Sequence, residues 1–200
     1  MMYRCLIANR GEIAVRIIRA CRELNIETVA IYAKGDENSL HVSLADQAIC
    51  IGEANPLDSY LNIDRIISAA KVTESNVIHP GYGFLSESTN FAKAVEDNHI
   101  HFIGPSKTTM EMMGDKITAR QTVKQAGVPV IPGSNDAVQS VDEIKLLSKE
   151  IGFPVVLKAA SGGGGKGIRI VKEASQLDQA LKEAKSEGQK YFNDDRVYVE

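Results

Sequence analysis

The chain has 200 residues, 44% hydrophobic and 24% charged, with a formal net charge of −3. That length allows one large domain or one and a half ordinary ones, and the absence of a basic excess excludes a general nucleic-acid binder. Its apolar runs are too short to span a bilayer, and Arg4 interrupts any signal-peptide pattern at the start, so the chain is expected to be a cytoplasmic protein without membrane association. Three widely spaced cysteines, Cys5, Cys21 and Cys50, are expected as buried thiols in a reducing compartment, with neither a disulfide framework nor a zinc knuckle.

In chain order, residues 3–8 read as a short buried strand. After Asn9-Arg10-Gly11-Glu12, apolar residues at Ala14, Ile17, Ile18, Cys21 and Leu24 mark one face of a helix ended by Asn25. A strand over 27–32, a polar segment, a strand over 48–51 and a helix over 60–71 follow. A strand over 76–79, a helix over 91–97 and a strand over 101–103 complete a first unit. Strands alternating with helices through short connections predict an α/β fold with a doubly wound parallel sheet. This unit closes near residue 104, giving a first domain over 1–107 and a second over 108–200.

The second region is predicted to open with one helix over 110–126, with Asp115 and Lys116 in its middle. An extended Pro/Gly connector over 127–133, a helix over 141–151, strands over 154–159 and 168–171, a helix over 174–186 and a strand over 196–200 follow. The last strand-like run stops without a turn or cap, so a piece of something longer is expected.

Between the two middle strands lies Ser161-Gly162-Gly163-Gly164-Gly165-Lys166-Gly167. Four glycines cost backbone entropy and offer no side chain to a core; they do offer bare N–H groups that can close around an anion. With Lys158, Lys166 and Arg169 as flanking cations, the run reads as a cover for a polyphosphate more readily than as a flexible turn. It is not a P-loop, because Gly167 stands where Ser or Thr would follow the lysine. Nor is it a dinucleotide fingerprint, which would follow the first strand with spaced glycines.

Other segments are candidates for contact with ligand. The turn Ala8–Ala14 suits either a polar ligand or a plain tight turn. His79-Pro80-Gly81-Tyr82-Gly83-Phe84-Leu85-Ser86-Glu87 brackets an aromatic ring with glycines; Tyr82 is either core packing or, with the bare backbone of Gly83, a ligand contact. His79 reads as a hydrogen-bonded structural residue rather than a base. Lys116 gains interest only from its position ahead of Lys158. His41, His99 and His101 show no metal-ligand spacing.

Taken together and in this order, Ile7–Ala14, Ser59–Ile63, His79–Glu87, Phe102–Pro105, Met113–Lys116 and Lys158–Gly167 resemble the N-terminal part of biotin carboxylase, the ATP-grasp enzyme of acetyl-CoA, propionyl-CoA and pyruvate carboxylases. The resemblance covers essentially the whole chain. It implies a Rossmann-like N-terminal domain, then the first part of an ATP-grasp domain whose lid carries the glycine run. It implies carboxylation of biotin on a carrier protein, using bicarbonate activated by ATP with Mg2+ or Mn2+ through carboxyphosphate. By the same resemblance Lys116 and Lys158 contact ATP phosphates, Gly164 and Gly165 close over them, Glu200 lies at the adenine-binding hinge, and Tyr82 and Gly83 line the biotin pocket. The catalytic and metal-binding groups are then expected beyond residue 200, and the 200-residue piece is expected to be inactive alone. The implied partners are a biotin carboxyl carrier protein or domain, a carboxyltransferase, and a second copy in a homodimer. Rival readings are another ATP-grasp ligase such as carbamoyl-phosphate synthetase, a non-catalytic nucleotide-binding or assembly module, and, more remotely, a nicotinamide-dependent oxidoreductase.

Overall fold

A computed structural model describes residues 3–161 and 166–200, and the chain divides into two compact units, Met1–Met110 and Glu111–Glu200. The first alternates β1 (Arg4–Ile7), α1 (Gly11–Glu23), β2 (Glu27–Ala33), α2 (Leu40–Leu44), β3 (Gln47–Gly52), α3 (Ile63–Val72), β4 (Val77–His79), α4 (Thr89–Asp97) and β5 (His101–Phe102). Its five strands are all parallel, in the order β3-β2-β1-β4-β5.

The period of two along β1 divides the core. Cys5 and Ile7 pack with Ala14, Ile17, Ile18 and Cys21 of α1 on one side. Leu6 and Ala8 join Ile66 and Ile67 of α3 and Phe91 of α4 on the other. Helices therefore cover both faces, which is why the strands read as near-continuous apolar runs. Strand order reverses at β1, with β2 on one flank and β4 on the other. The registered pair Ile7↔His79 brings the loops leaving β1 and β4 side by side at the carboxyl ends of the strands, where open α/β sheets form their ligand crevice.

Local chemistry sets the helix starts. Asn62 caps α3 and Ser88 caps α4 through their side chains. The segment expected to be merely polar contains α2, whose five residues are too few to show a helical period. Cys50 is exposed on β3 rather than buried, because β3 is the sheet edge and its alternate residues lack a covering layer.

The expected single helix over 110–126 is two, α5 (Lys107–Gly114), which runs across the boundary at Met110, and α6 (Lys116–Gln125) in the second unit. Asp115 is extended, and its carboxylate accepts the Thr118 N–H at 2.8 Å. That cap restarts the helix and moves Lys116 from mid-helix to the first helical position. Further on come α7 (Val141–Ile151), β6 (Val155–Ala159), β7 (Ile168–Val171), α8 (Leu177–Phe192) and β8 (Val197–Val199). The strands form an antiparallel sheet in the order β7-β6-β8. One face, carrying Val155, Leu157, Val171, Val197 and Val199, is buried against Ile144 of α7 and Leu177, Leu181 and Ala184 of α8.

Candidate functional site

In the first unit, Asn9 organises the crevice between the β1 and β4 loops. Its side chain is almost fully buried. The Nδ2 group donates to the carbonyls of Pro80 and Tyr82, both at 2.8 Å, and Oδ1 accepts the Arg10 N–H at 2.9 Å. Gly81 sits at φ +65°, and a Cβ there would come 2.8 Å from the Asn9 amide nitrogen, so both the backbone conformation and the space demand glycine. The result is a cleft of about 400 Å³ lined by residues 9–13 and 82–84.

Tyr82 stands on its rim, 61% exposed, which excludes the core-packing reading; its hydroxyl donates to the Glu12 carboxylate. Phe84 stacks on Tyr60 with centroids 5.2 Å apart, and the Arg10 guanidinium lies over both rings. Arg10 also pairs with Asp36 at 3.1 Å, which accepts the Tyr60 hydroxyl at 2.7 Å. Burial and then Asp36 push the Tyr60 phenol above its usual range. Burial works to raise Asp36, but the Tyr60 hydroxyl and Arg10 outweigh it and hold the carboxyl low. His79 Nδ1 accepts the Gly81 N–H at 3.0 Å, and burial lowers its pKa. It is a structural residue, as the sequence suggests.

In the second unit the sheet face turned away from α7 and α8 combines apolar surface with charge; at its β8 end Tyr198 is buried against Ile117 of α6, and at its β7 end the face is open. Antiparallel register sets Ile168, Lys158 and Tyr198 in one row across the sheet, and Ile170 and Val156 in the next beside Glu200, whose N–H and C=O bond Val156 at 2.9 and 2.7 Å. Ile168 and Ile170 are exposed. Beside this platform the Glu200 carboxylate takes two cations, Lys158 through Oε2 and Arg120 through Oε1 at 2.7 Å. The Lys116 N–H meets the Ala160 carbonyl at 3.4 Å, which sets the start of α6 at the end of β6 and brings Lys116 to the strand that carries Lys158.

The approach to the glycine run is fixed by ion pairs. Arg196 bridges Asp115 and Asp194, each at 2.7 Å, and Asp194 accepts the Ser161 hydroxyl. The Arg196 hydrogen bond, helped by Ser161 and opposed by burial, lowers Asp194 to about 2. Gly164 and Gly165, expected to cover phosphates, lie outside the described residues.

Arg169, one of the three expected flanking cations, faces the other way. It is registered with Leu157 and therefore shares the α8 side, where it pairs with Glu183 at 2.8 Å and Glu187 at 2.6 Å. Lys166 lies 4.2 Å from the Tyr191 ring centre. Arg120, Val156, Ile168 and Ile170 border this candidate site and are not among the residues that motif reading singles out. Strand alternation could have flagged the last three, whereas nothing local marks Arg120. Among the described residues no group of three or more His, Cys, Asp or Glu side chains could hold a metal ion.

Residues 1–110 match the family model of the biotin carboxylase N-terminal domain. The chain belongs to the biotin carboxylase N-terminal domain family. Residues 115–200 match a second family model, the carbamoyl-phosphate synthase L chain ATP-binding domain. Biotin carboxylase 1 of Bacillus subtilis is 51% identical over the whole chain, and pyruvate carboxylase of the same organism is 48% identical over 98% of it. Among solved structures, the biotin carboxylase–β,γ-ATP complex from Campylobacter jejuni is similar with a TM-score of 0.95 at 46% identity. The biotin carboxylase domain dimer of Hydrogenobacter thermophilus 2-oxoglutarate carboxylase, in complex with MgADP, ADP and bicarbonate, is similar with a TM-score of 0.91 at 48% identity. Each structure is matched over 100% of this chain and 44–45% of its own. The chain spans 44% of the Bacillus biotin carboxylase and 17% of the pyruvate carboxylase. The fold is that of the biotin carboxylases, a parallel α/β unit followed by ATP-grasp structure. Among the described residues no helix is long and apolar enough to cross a membrane.

Proposed function

We propose that this chain supplies the nucleotide-binding and ring-binding surfaces of a biotin carboxylase. In that reaction the γ-phosphoryl group of ATP passes to bicarbonate with ADP as leaving group, and the carboxyl group of the resulting carboxyphosphate passes to the ureido nitrogen of biotin on a carrier protein, the nitrogen giving up its proton and inorganic phosphate leaving. The observation that carries the reading is the face of β6, β7 and β8 turned away from α7 and α8, exposed at Ile168 and Ile170. An apolar platform of Val156, Ile168 and Ile170 suits a purine, Glu200 beside it is an acceptor for an exocyclic amine, and Lys158 and Lys116 are cations for the phosphates. Gly164 and Gly165 are assigned to the same phosphates by resemblance. Charge neutralisation and alignment are most of what such a transfer asks of a protein, since bicarbonate is a weak nucleophile. Magnesium accompanies the nucleotide, and no step assigned to this chain's side chains runs through it.

Tyr82 and Gly83, on the rim of the crevice that Asn9 shapes, are assigned to the biotin ring. The two buried thiols, Cys5 and Cys21, favour a reducing compartment, the cytoplasm. A carrier protein, a carboxyltransferase and a second copy of the chain are the proposed partners, the last because the Hydrogenobacter relative is described as a dimer. A different ATP-grasp ligase would share the nucleotide face; the match of residues 1–110 favours biotin carboxylase over it. Calorimetry with MgATP tests the reading. The wild-type chain is expected to bind and Lys158→Gln to bind at least tenfold more weakly, the effect of losing one charge-assisted phosphate contact of about 1.4 kcal/mol or more. Equal binding by both proteins would remove the assignment.

A further inference from the structure

We propose that Arg120 is a positioning residue for phosphate binding: it holds the Glu200 carboxylate so that Lys158 can leave that carboxylate and turn to the nucleotide. The inference rests on the nucleotide reading above. Glu200 is a nearly buried acid, its side chain 11% exposed, and each of its oxygens faces a different cation.

The two cations are held differently. The Arg120 guanidinium is fixed on several sides: Nη1 donates to Glu200, Nη2 donates to the Ile131 carbonyl at 2.7 Å, and its plane lies 5.7 Å from the Tyr198 ring centre. Lys158 is the more exposed of the two and has a flexible four-carbon stem. A carboxylate this buried is costly to leave without a cation, so Lys158 can move only while Arg120 stays. Without Arg120, Lys158 becomes the counter-ion of Glu200, and phosphate must compete with that carboxylate for the same ammonium.

The test uses the full chain and three probes, MgATP, magnesium tripolyphosphate and adenosine. Arg120→Met is expected to weaken MgATP and tripolyphosphate by about tenfold and adenosine by clearly less, because Lys158 then stays on the Glu200 carboxylate that faces the base. Adding Glu200→Gln to Arg120→Met removes the competing charge and is expected to restore tripolyphosphate binding. Arg120→Lys, which keeps the charge but cannot reach both Glu200 and the Ile131 carbonyl, is expected to fall between and serves if Arg120→Met does not fold. Equal weakening of adenosine and MgATP would mean a merely structural role and overturn the proposal, as would unchanged MgATP binding or a double variant no better than Arg120→Met. A wild-type chain that binds no MgATP overturns the nucleotide reading and this inference together; one that binds while Arg120→Met is unaltered overturns the inference alone.

Discussion

Replacing Asn9 with alanine removes a side chain that is 3% exposed and makes three hydrogen bonds, to the carbonyls of Pro80 and Tyr82 and from the Arg10 N–H. The Pro80 bond is fully buried, and the other two are partly so. A net hydrogen bond is worth about 1 kcal/mol, and a buried acceptor left without a donor costs about 1–3 kcal/mol. Water can reach the partly buried groups but not the Pro80 carbonyl, so the expected loss is about 3 kcal/mol. Urea denaturation followed by far-UV circular dichroism reads this as a lower midpoint with unchanged slope. Asn9→Asp sharpens the test, because it keeps the acceptor for Arg10 but turns a carboxylate toward two carbonyls. The folded-state pKa of the introduced acid is then raised above its unfolded value of about 3.9. Its favourable contribution is fully present below that value and is lost as pH rises through the folded pKa. The variant should therefore approach the wild type in mild acid and fall furthest behind it at neutral pH. A cost under about 1 kcal/mol for Asn9→Ala, or a pH-independent deficit for Asn9→Asp, would refute the view that this amide shapes the crevice.

Two further predictions bear on the second unit. Gly133→Ala sets a Cβ 2.1 Å from the Val199 carbonyl oxygen, so the end of β8 must shift; a loss of about 3 kcal/mol in thermal unfolding and weaker MgATP binding in calorimetry are expected. Asp194, lowered to about 2 chiefly by its Arg196 hydrogen bond, contributes stability that is present above its unfolded pKa and is lost as pH falls through the folded one. A carboxyl-carbon NMR titration should give a midpoint near that value, and Arg196→Met should raise it; an unmoved midpoint would deny Arg196 that role.

Much of the architecture was legible in the chain because it depends on neighbours close in sequence. Apolar spacing at Ala14, Ile17, Ile18 and Cys21 makes the buried face of α1, and the short apolar runs over 3–8 and 27–32 make strands covered on both faces. The loop His79–Glu87 and the lysines Lys116 and Lys158 were equally readable as motifs. The break at Asp115 was local too, yet missed, because continuous apolar spacing hid the cap that a carboxylate three residues before Thr118 provides.

What the linear order could not supply was set by strand register and long-range pairing. Arg169 sits in the same basic stretch as Lys158, yet its partner Leu157 turns it toward α8 and the acids there, while Lys158 shares its face with Ile168 and Tyr198. Glu200 draws its two cations from 42 and 80 residues away. A charge reads as solvated until folding removes its water, so the pairing of Glu200 with Arg120 and Lys158 became visible only where the sheet and α6 bury them together. Composition, spacing and capping thus carry the elements and their order. Which charges meet, and which face they share, follows from burial and register in the assembled fold.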